Sequence, residues 1–270
     1  MPATRGVAWV GRAFGLLSRR PLGFTMLFVA FIFAALMLAL LPWIGGVLVL
    51  AAIPLLTLGF VNAADAAQRG EAVRLVHLIE PLLPAAERTA RRRLLGLCLL
   101  FAVLAGIVML LAQGVDGGRF ERLQTLWVGE RTAATRQEID ALLADPRLAN
   151  GLMLRFGLLA LLSVPFWHAP MLVAWHRQGV AQALFSSTLA LWHQRGAYLM
   201  YGLAWAAAST GLGIVVALLA AFVGASVMAL VMPPAALLLS VAFYVSLHFC
   251  YVDAFAPMDP AAPGTPPQTA

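Results

Sequence analysis

Residues 22–41 read LGFTMLFVAFIFAALMLALL, and this unbroken apolar run decides the fold class of the chain. It contains no charged side chain. A helix needs about 20 apolar residues to cross the hydrocarbon core of a bilayer. The run therefore predicts a transmembrane helix. We interpret it as a retained helix rather than a signal peptide, because no clean small-residue cleavage motif accompanies it.

The composition of the whole chain also indicates that lipid surrounds much of the protein. Hydrophobic residues make up 62% of the 270 residues and charged residues only 11%, with a mean hydropathy of +0.88. Soluble domains carry about 25% charged residues. The composition argues against a soluble enzyme, a nucleic-acid-binding domain, a secreted disulfide scaffold and a disordered chain. Cys98 and Cys250 lie in apolar segments and lack the spacing of a zinc or disulfide motif.

Six apolar runs are long enough to span a bilayer, and they predict an all-α fold, a polytopic membrane helix bundle. We place the six transmembrane helices at residues 22–41, 43–64, 94–112, 151–175, 197–222 and 225–252. They form one predicted membrane domain over residues 1–253, with an outward loop over residues 113–150. A Pro/Ala-rich cytoplasmic tail over residues 254–270 is predicted to be disordered.

The arginine distribution predicts the orientation of these spans. All 18 basic residues are arginine. Twelve fall on one side of the predicted spans and five on the other, and Arg155 lies at a boundary. Cytoplasmic loops carry the excess of positive charge. Both termini are therefore predicted to be cytoplasmic.

The inner connections carry amphipathic patterns. Apolar residues recur at helical spacing before spans one, three and five, and predict cytoplasmic-side interfacial helices with their apolar faces in lipid. The three sets are Val7, Val10, Phe14 and Leu17; Leu75, Leu78, Ile79 and Leu82; and Val180, Leu184, Leu191 and Trp192. One interfacial helix followed by two spans, three times over, fits an ancient triplication. The alternative is that inner-leaflet connections converge on one composition.

The outward loop is predicted to contain two short helices. Thr135 and Glu138 match a capping box, and the helix they begin should end at Asp145. A second helix is expected around Phe120 and Trp127. The loop is too small for a core of its own, so we expect it to rest on the outer membrane surface or to cap the bundle.

Polar residues within or beside the spans are candidates for function, because polar groups are costly inside a bilayer. The candidate intramembrane polar cluster consists of Asn62, Asp65, His168, Tyr244, His248 and Asp253. Such groups at similar depth could relay protons or cations, and His168 and His248 could ligate a haem. The alternative is structural. Asp65 and Asp253 lie at span ends, where a carboxylate reaches water or pairs with a nearby arginine.

Catalytic motifs are missing from the sequence. The serines within the spans lack a G-x-S-x-G elbow, and neither an H-E-x-x-H motif nor a paired-carboxylate motif occurs. We therefore expect no catalytic residues, no metal site, no cofactor and no nucleic-acid partner, and we do not expect an enzyme.

Arginines and small residues predict two contact surfaces. Arginines beside spans one and three predict contact with anionic phospholipid at the cytoplasmic face, namely Arg19, Arg20, Arg88, Arg91, Arg92 and Arg93. Small residues at four-residue spacing predict a smooth ridge for helix packing, within the chain or in a dimer, formed by Gly213, Ala217, Ala221 and Ala225.

Four segments of the chain together resemble those of a known protein family. They are Trp9-x-x-Arg12-x-Phe14-x-Leu16-Leu17 followed by Arg20-Pro21, Pro170-x-Leu172-Val173-Ala174-Trp175, the segment Ala183–Tyr201, and Tyr251-Val252-Asp253-Ala254-Phe255. Over residues 7–255 the chain resembles an uncharacterised family of proteobacterial six-span inner-membrane proteins. More distantly, its layout is similar to YciC-type proteins and to the membrane domain attached to some glycerophosphodiester phosphodiesterases. The resemblance implies a multi-pass protein of the bacterial inner (cytoplasmic) membrane and carries no established activity.

Three functional hypotheses remain open at this point. The first is non-enzymatic envelope organisation or assembly through lipid or protein contacts. The second is a transporter or permease for a lipid or small amphiphile, favoured by spans that contain proline and by the repeat-like organisation. The third is an intramembrane redox or proton-relay protein that uses His168 and His248.

Overall fold

The computed structural model describes residues 2–83, 87–129 and 132–255, and every regular element in these ranges is helical. Six stretches are long and apolar enough to cross a membrane, and α7 and α8 together form the fourth. The prediction of an all-α polytopic membrane helix bundle is confirmed. In the described ranges the α-helices are α1 Arg5–Arg19, α2 Pro21–Ala39, α3 Gly45–Gln68, α4 Arg88–Asp116, α5 Arg119–Val128, α6 Ala133–Leu143, α7 Pro146–Phe166, α8 Ala169–Trp175, α9 Val180–His193, α10 Arg195–Val223 and α11 Ala225–Phe255.

The helices extend beyond several of the predicted spans. The third span was predicted over residues 94–112, but α4 runs from Arg88 to Asp116. Arginine is a good helix former, so the basic segment before the apolar run continues the helix. Gly117 and Gly118, both with positive φ, end it. At the other end of the chain α11 continues to Phe255, and the rest of the predicted disordered tail lies outside the described residues.

The described chain divides into two compact units, where the sequence predicted one domain. The first unit contains the described parts of Met1–Phe28, Phe60–His77 and Ala190–Ala270. The second contains those of Val29–Gly59 and Leu78–Leu189. Each unit has its own buried apolar residues, and each is described separately below.

The second unit is built on the packing of α4 against α7. One side of α4 is buried at helical spacing, at Leu94, Leu97, Cys98, Ala102, Ala105, Val108 and Ala112. The opposite side is also apolar but exposed, as at Leu95, Leu99 and Leu110. A helix that is apolar on all sides and exposed on one of them is typical of a membrane span. The residues of α4 therefore divide into a protein-facing side and a lipid-facing side.

The first unit is built on α1, which packs against α10 and α11. The buried side of α1 consists of Gly6, Trp9, Val10, Ala13, Leu16 and Leu17. The predicted stripe was partly wrong, because Val7 and Phe14 are exposed. Protein covers the other two residues of the stripe, Val10 and Leu17, so the prediction that the whole face lies in lipid is also wrong. Hydrophobic periodicity identifies an apolar face but does not distinguish a protein partner from lipid.

Close contact between α1 and α10 depends on Gly6. A Cβ atom added at this glycine would overlap the carbonyl oxygen of Ala197 and the backbone nitrogen of Tyr201. We expect Gly6→Ala to destabilise the protein by about 1–3 kcal/mol, because neither backbone atom can move without shifting a helix. Thermal unfolding of the detergent-solubilised protein measures this effect.

The matched control for Gly6→Ala is Gly11→Ala on the same helix. A Cβ atom at Gly11 meets nothing within 4 Å. Its substitution should leave stability unchanged or raise it by about 0.5–1 kcal/mol, since alanine is the better helix former. Equal melting temperatures for the two variants would contradict the close packing of α1.

The helix predicted before span three is absent, whereas the helix predicted before span five is present. The predicted helix over Leu75–Leu82 is wrong. This segment forms two short 3₁₀ turns, Leu75–Leu78 and Glu80–Leu82. Pro81 has no backbone N–H and disfavours helical geometry at the residue before it, which prevents a continuous helix. Before span five, the predicted helix is present as α9.

The connection predicted to face outward forms α5 and α6, as predicted, but with a different cap. Thr132, not Thr135, caps α6, because its side chain accepts a hydrogen bond from the backbone N–H of Thr135 at 3.1 Å. Glu138 accepts hydrogen bonds from Arg122 instead of completing a capping box. Asp145 ends the connection and caps α7 by accepting from the backbone N–H of Arg147 at 2.8 Å.

Candidate functional site

A polar cluster in the first unit is centred on Asp253, near the end of α11. One oxygen of this carboxylate, Oδ2, accepts hydrogen bonds from Trp9 Nε1 at 2.7 Å and from Arg12 Nη2 at 2.7 Å. Arg5 Nη1 donates to the same oxygen at 2.9 Å. The Asp253 side chain is only 9% exposed. We call these four residues the Asp253 node.

The spacing of the donors along α1 explains the geometry of the Asp253 node. Arg5, Trp9 and Arg12 are four and three residues apart, so they share one face of the helix. The ring of Trp9 also packs against Tyr198 and Tyr201 of α10, with centroid separations of 5.2 and 5.9 Å. The node therefore fixes α1 to α11 while the tryptophan fixes it to α10.

Sequence reasoning identified Asp253 but missed its partners. The structural alternative, that this carboxylate pairs with an arginine, is what the structure shows. In the sequence, Arg5 and Arg12 contribute only to the predicted orientation, and nothing marks Trp9 as a donor to a distant carboxylate. A usable signal was present, because Trp9 and Arg12 lie in the first family-like motif and Asp253 lies in the last.

Four more members of the candidate polar cluster belong to the first unit. Asp65 forms an ion pair with Arg69 on the same helix, again as the structural alternative expects. His248 is buried, and Asn62 is half-buried. The ring of Tyr244 packs against Phe60 at a centroid separation of 5.3 Å. The ion pair of Asp65 and the packing of Tyr244 are structural contacts, and a proton relay through these residues stays a prediction.

His168, the sixth member of the cluster, belongs to the second unit. It is fully buried at the break between α7 and α8. Its backbone N–H donates to Ser187 Oγ at 3.0 Å, and that hydroxyl donates to the carbonyl oxygen of Val164 at 3.1 Å. The contacts of Ser187 thus stabilise the broken helix from α9.

A buried ion-pair network in the second unit was missed entirely. Arg155 of α7 is 3% exposed, and its Nη2 donates to Asp116 Oδ2 at 3.3 Å and to Glu121 Oε1 at 3.4 Å. Its guanidinium carbon lies 3.9 Å from the centre of the Phe120 ring. Asp116, fully buried at the end of α4, had been treated as an acidic residue of the outward loop. The network joins α4, α5 and α7.

The carboxylate of Asp145, which lies outside the predicted spans, should stabilise the protein above about pH 4 and lose this effect at lower pH. The Arg147 backbone N–H, and secondly Arg119, hold the pKa of this carboxyl below its usual value. A depressed pKa in the folded state means that the stabilisation is complete above about pH 4 and is lost as the pH falls through the folded pKa. Asp145→Asn keeps the helix cap and removes the charge.

The expected result is that the free-energy difference between wild type and Asp145→Asn shrinks as the pH is lowered below about 4. Urea unfolding over a series of pH values measures that difference. A difference that stays constant across this range would contradict the role of the Asp145 charge.

The arginines predicted to contact lipid lie where membrane-capable helices begin. Arg19 ends α1 and Arg20 immediately precedes α2, while Arg88, Arg91, Arg92 and Arg93 occupy the first two turns of α4. Arg20 Nη2 donates to the carbonyl oxygen of Gly70 at 3.2 Å, and Arg93 Nη1 donates to that of Arg177 at 2.5 Å. Positive charge at a helix N-terminus opposes the helix macrodipole. Helix stability therefore does not explain this placement.

The predicted small-residue ridge is shorter than expected. Gly213, Ala217 and Ala221 lie on α10 and are exposed. The prediction that Ala225 continues the ridge is wrong, because α10 ends at Val223 and Gly224 turns the chain with a φ of +89°. Ala225 begins α11, and its side chain lies outside the described residues.

Sequence comparison identifies a relative over nearly the whole chain. A protein of Burkholderia thailandensis, named a probable inner membrane protein, is 31% identical over 265 residues. The match covers 98% of this chain and 96% of the relative. The chain belongs to the family of that inner-membrane protein. No family model matches the chain, and no solved structure matches it.

Membership of this family agrees with the six membrane-capable helices, all of which lie within a match of this extent. The protein is a multi-pass inner-membrane protein, and this part of the predicted resemblance is confirmed. None of the matches links the family to YciC-type proteins or to phosphodiesterase membrane domains, so that wider resemblance stays a prediction.

Proposed function

We propose that this family member is a non-enzymatic organiser or assembly factor of the envelope, acting through lipid and protein contacts with both termini cytoplasmic. The placement of its arginines carries the proposal. Arg88 and Arg92 are exposed in the first turns of α4 and form no ion pair within the described chain. Each such charge near an anionic membrane surface contributes about 1 kcal/mol of attraction.

The contacts of the buried charged groups support the same proposal. Asp253 joins α1 to α11, and Arg155 joins α7 to α4 and α5, through charge-assisted hydrogen bonds. Such groups are occupied in building a rigid scaffold. Firmly packed helices with exposed arginines at their ends suit a protein that binds headgroups or other membrane proteins.

Native mass spectrometry of protein extracted gently from its own membrane tests this function. We expect anionic phospholipid, additional protein subunits, or both, to be retained in stoichiometric amounts. The double variant Arg88→Gln/Arg92→Gln should retain less anionic lipid than wild type. The matched control is Arg136→Gln/Arg147→Gln, which removes two exposed arginines from the outer connection and should behave as wild type.

Two outcomes would overturn the proposal. One is equal lipid retention by wild type and both variants with no protein subunit bound. The other is a visible haem absorption band in the same sample, which would favour the redox hypothesis.

A transporter or permease for a lipid or small amphiphile is the second candidate. The observation that favours it is the break in span four, where α7 ends at Phe166 and α8 begins at Ala169. Discontinuous helices often form substrate sites in transporters. A small amphiphile bound in place of phospholipid, together with its uptake by proteoliposomes, would favour this candidate over the first.

A further inference from the structure

A groove of about 550 Å³ opens in the first unit beside the Asp253 node. We call it the basic groove, and its lining includes Arg12, Gly15, Arg19, Arg20, Gln68 and Gly70. We propose that the basic groove binds the phosphate group of an anionic phospholipid headgroup. This inference rests on the proposed function, in which the protein acts through lipid contacts.

The charges around the basic groove favour a phosphate. Three arginines line it, and none of its described lining residues is acidic. The neighbouring carboxylate of Asp253 is already satisfied by three donors. A guanidinium has five N–H groups and binds phosphate oxygens in pairs. An added anion would therefore meet uncompensated positive charge.

Donors remain available on all three arginines. The side chain of Arg19 forms no hydrogen bond or ion pair with the described residues. Arg20 uses one nitrogen on the carbonyl oxygen of Gly70. Arg12 uses one nitrogen on Asp253, and its guanidinium carbon lies 5.0 Å from the centre of the Phe249 ring. Fixing Arg12 in this way organises the groove before a ligand arrives.

The size and floor of the basic groove suit an organic headgroup better than a bare ion. Leu16, Ala67 and Phe249 are buried apolar residues in its lining. Sites for small organic ligands occupy about 300–1,000 Å³ and combine apolar walls with a few polar groups. The volume of this groove falls in that range, which leaves room for the glycerol part of a headgroup beside the phosphate.

The position of the basic groove along the membrane-capable helices favours a lipid as the source of the phosphate. Ala67 and Gln68 are the last two residues of α3, and Arg20 comes just before α2. Both positions are at the ends of membrane-capable helices, where polar headgroups would meet the chain. Immediately beyond Arg20, Leu22 and Met26 of α2 are exposed and share a helix face. Acyl chains of a lipid held at the groove would have this apolar surface beside them.

Gly15 offers a sharp test of the inference. A Cβ atom at Gly15 meets nothing within 4 Å, so Gly15→Glu puts a carboxylate into the groove without a clash. Glutamate is also a good helix former, so α1 should fold. The matched control is Gly11→Glu, on the same helix and equally free of clashes, but outside the groove lining.

The experiment is a titration of delipidated full-length protein, followed by native mass spectrometry. The lipid probes are phosphatidylglycerol and phosphatidylethanolamine with identical acyl chains, and the soluble probes are inorganic phosphate and glycerol 3-phosphate. Wild type should bind phosphatidylglycerol in preference to phosphatidylethanolamine. Gly15→Glu should weaken that binding at least about fivefold, and Gly11→Glu should change it less than about twofold.

Three results would overturn the inference. They are equal binding of the two lipids, equal weakening by the two glutamate variants, and binding of glycerol 3-phosphate as tightly as the lipid. The Arg88→Gln/Arg92→Gln variant separates this inference from the proposed function. If that variant loses anionic lipid while Gly15→Glu does not, the groove inference fails and the proposed function stands.

Discussion

Replacing Asp253 with asparagine is expected to lower the free energy of unfolding by about 2–4 kcal/mol. The variant weakens three charge-assisted hydrogen bonds and leaves two arginines without their counter-ion. The estimate allows for Arg5 and Arg12 being 48% and 40% exposed, since water can solvate both after the change. In the detergent-solubilised protein the melting temperature should fall by roughly 5–15 °C.

The control for this prediction is Asp65→Asn. Asp65 also pairs with an arginine, but both partners of that pair are substantially exposed. Exposed ion pairs contribute little to stability, so the melting temperature of this variant should stay close to that of wild type. If the two asparagine variants melt at the same temperature, the Asp253 node does not hold α1 in place.

Replacing Arg155 with methionine is expected to be still more destabilising, by about 3–5 kcal/mol, because it leaves a buried carboxylate without its counter-ion. Asp116 has no exposed surface, and its other oxygen accepts from the backbone N–H of Gly118 at 2.8 Å. The ring of Phe120 also loses the cation stacked on it. Chemical unfolding in detergent micelles measures the change.

The double variant Asp116→Asn/Arg155→Met tests the physical reason for this effect. Asparagine keeps an oxygen for the N–H of Gly118 and removes the buried charge. The free energy of unfolding of the double variant should therefore exceed that of Arg155→Met alone by about 1 kcal/mol or more. A double variant whose loss equals the sum of the two single losses would show that the charges do not interact.

Much of the fold could be predicted because the bilayer imposes a simple length rule on apolar runs. All six spans were found in this way, and α4 is longer than its predicted span at both ends, on one side through its arginines and on the other to Asp116. The rule does not say which surface an amphipathic helix meets. It therefore assigned the apolar face of α1 to lipid, whereas α10 and α11 cover that face. The helix predicted over residues 75–82 failed because a periodic apolar pattern was given more weight than Pro81.

The sequence identified the acceptor of the candidate site, Asp253, but not its donors. A charged side chain beside an apolar run is conspicuous in sequence, and Asp253 was identified by that property. Its donors lie at least 241 residues away along the chain. A periodic pattern shows which face of a helix a residue occupies, but not which distant residue it meets. Arg155 is visible in the sequence at a span boundary, but its pairing with Asp116 was missed because Asp116 falls in a segment predicted to be a loop.

The Asp253 node also has a consequence for biosynthesis. Trp9 is separated from its acceptor by 244 residues, so α1 emerges from the ribosome long before its partner is made. At about 5–20 residues per second this delay lasts roughly 12–50 seconds. During that time the arginines and the tryptophan of α1 are unsatisfied. A nascent chain that stops before Asp253 cannot form the node, so only a chain that includes Asp253 fixes α1 to α11.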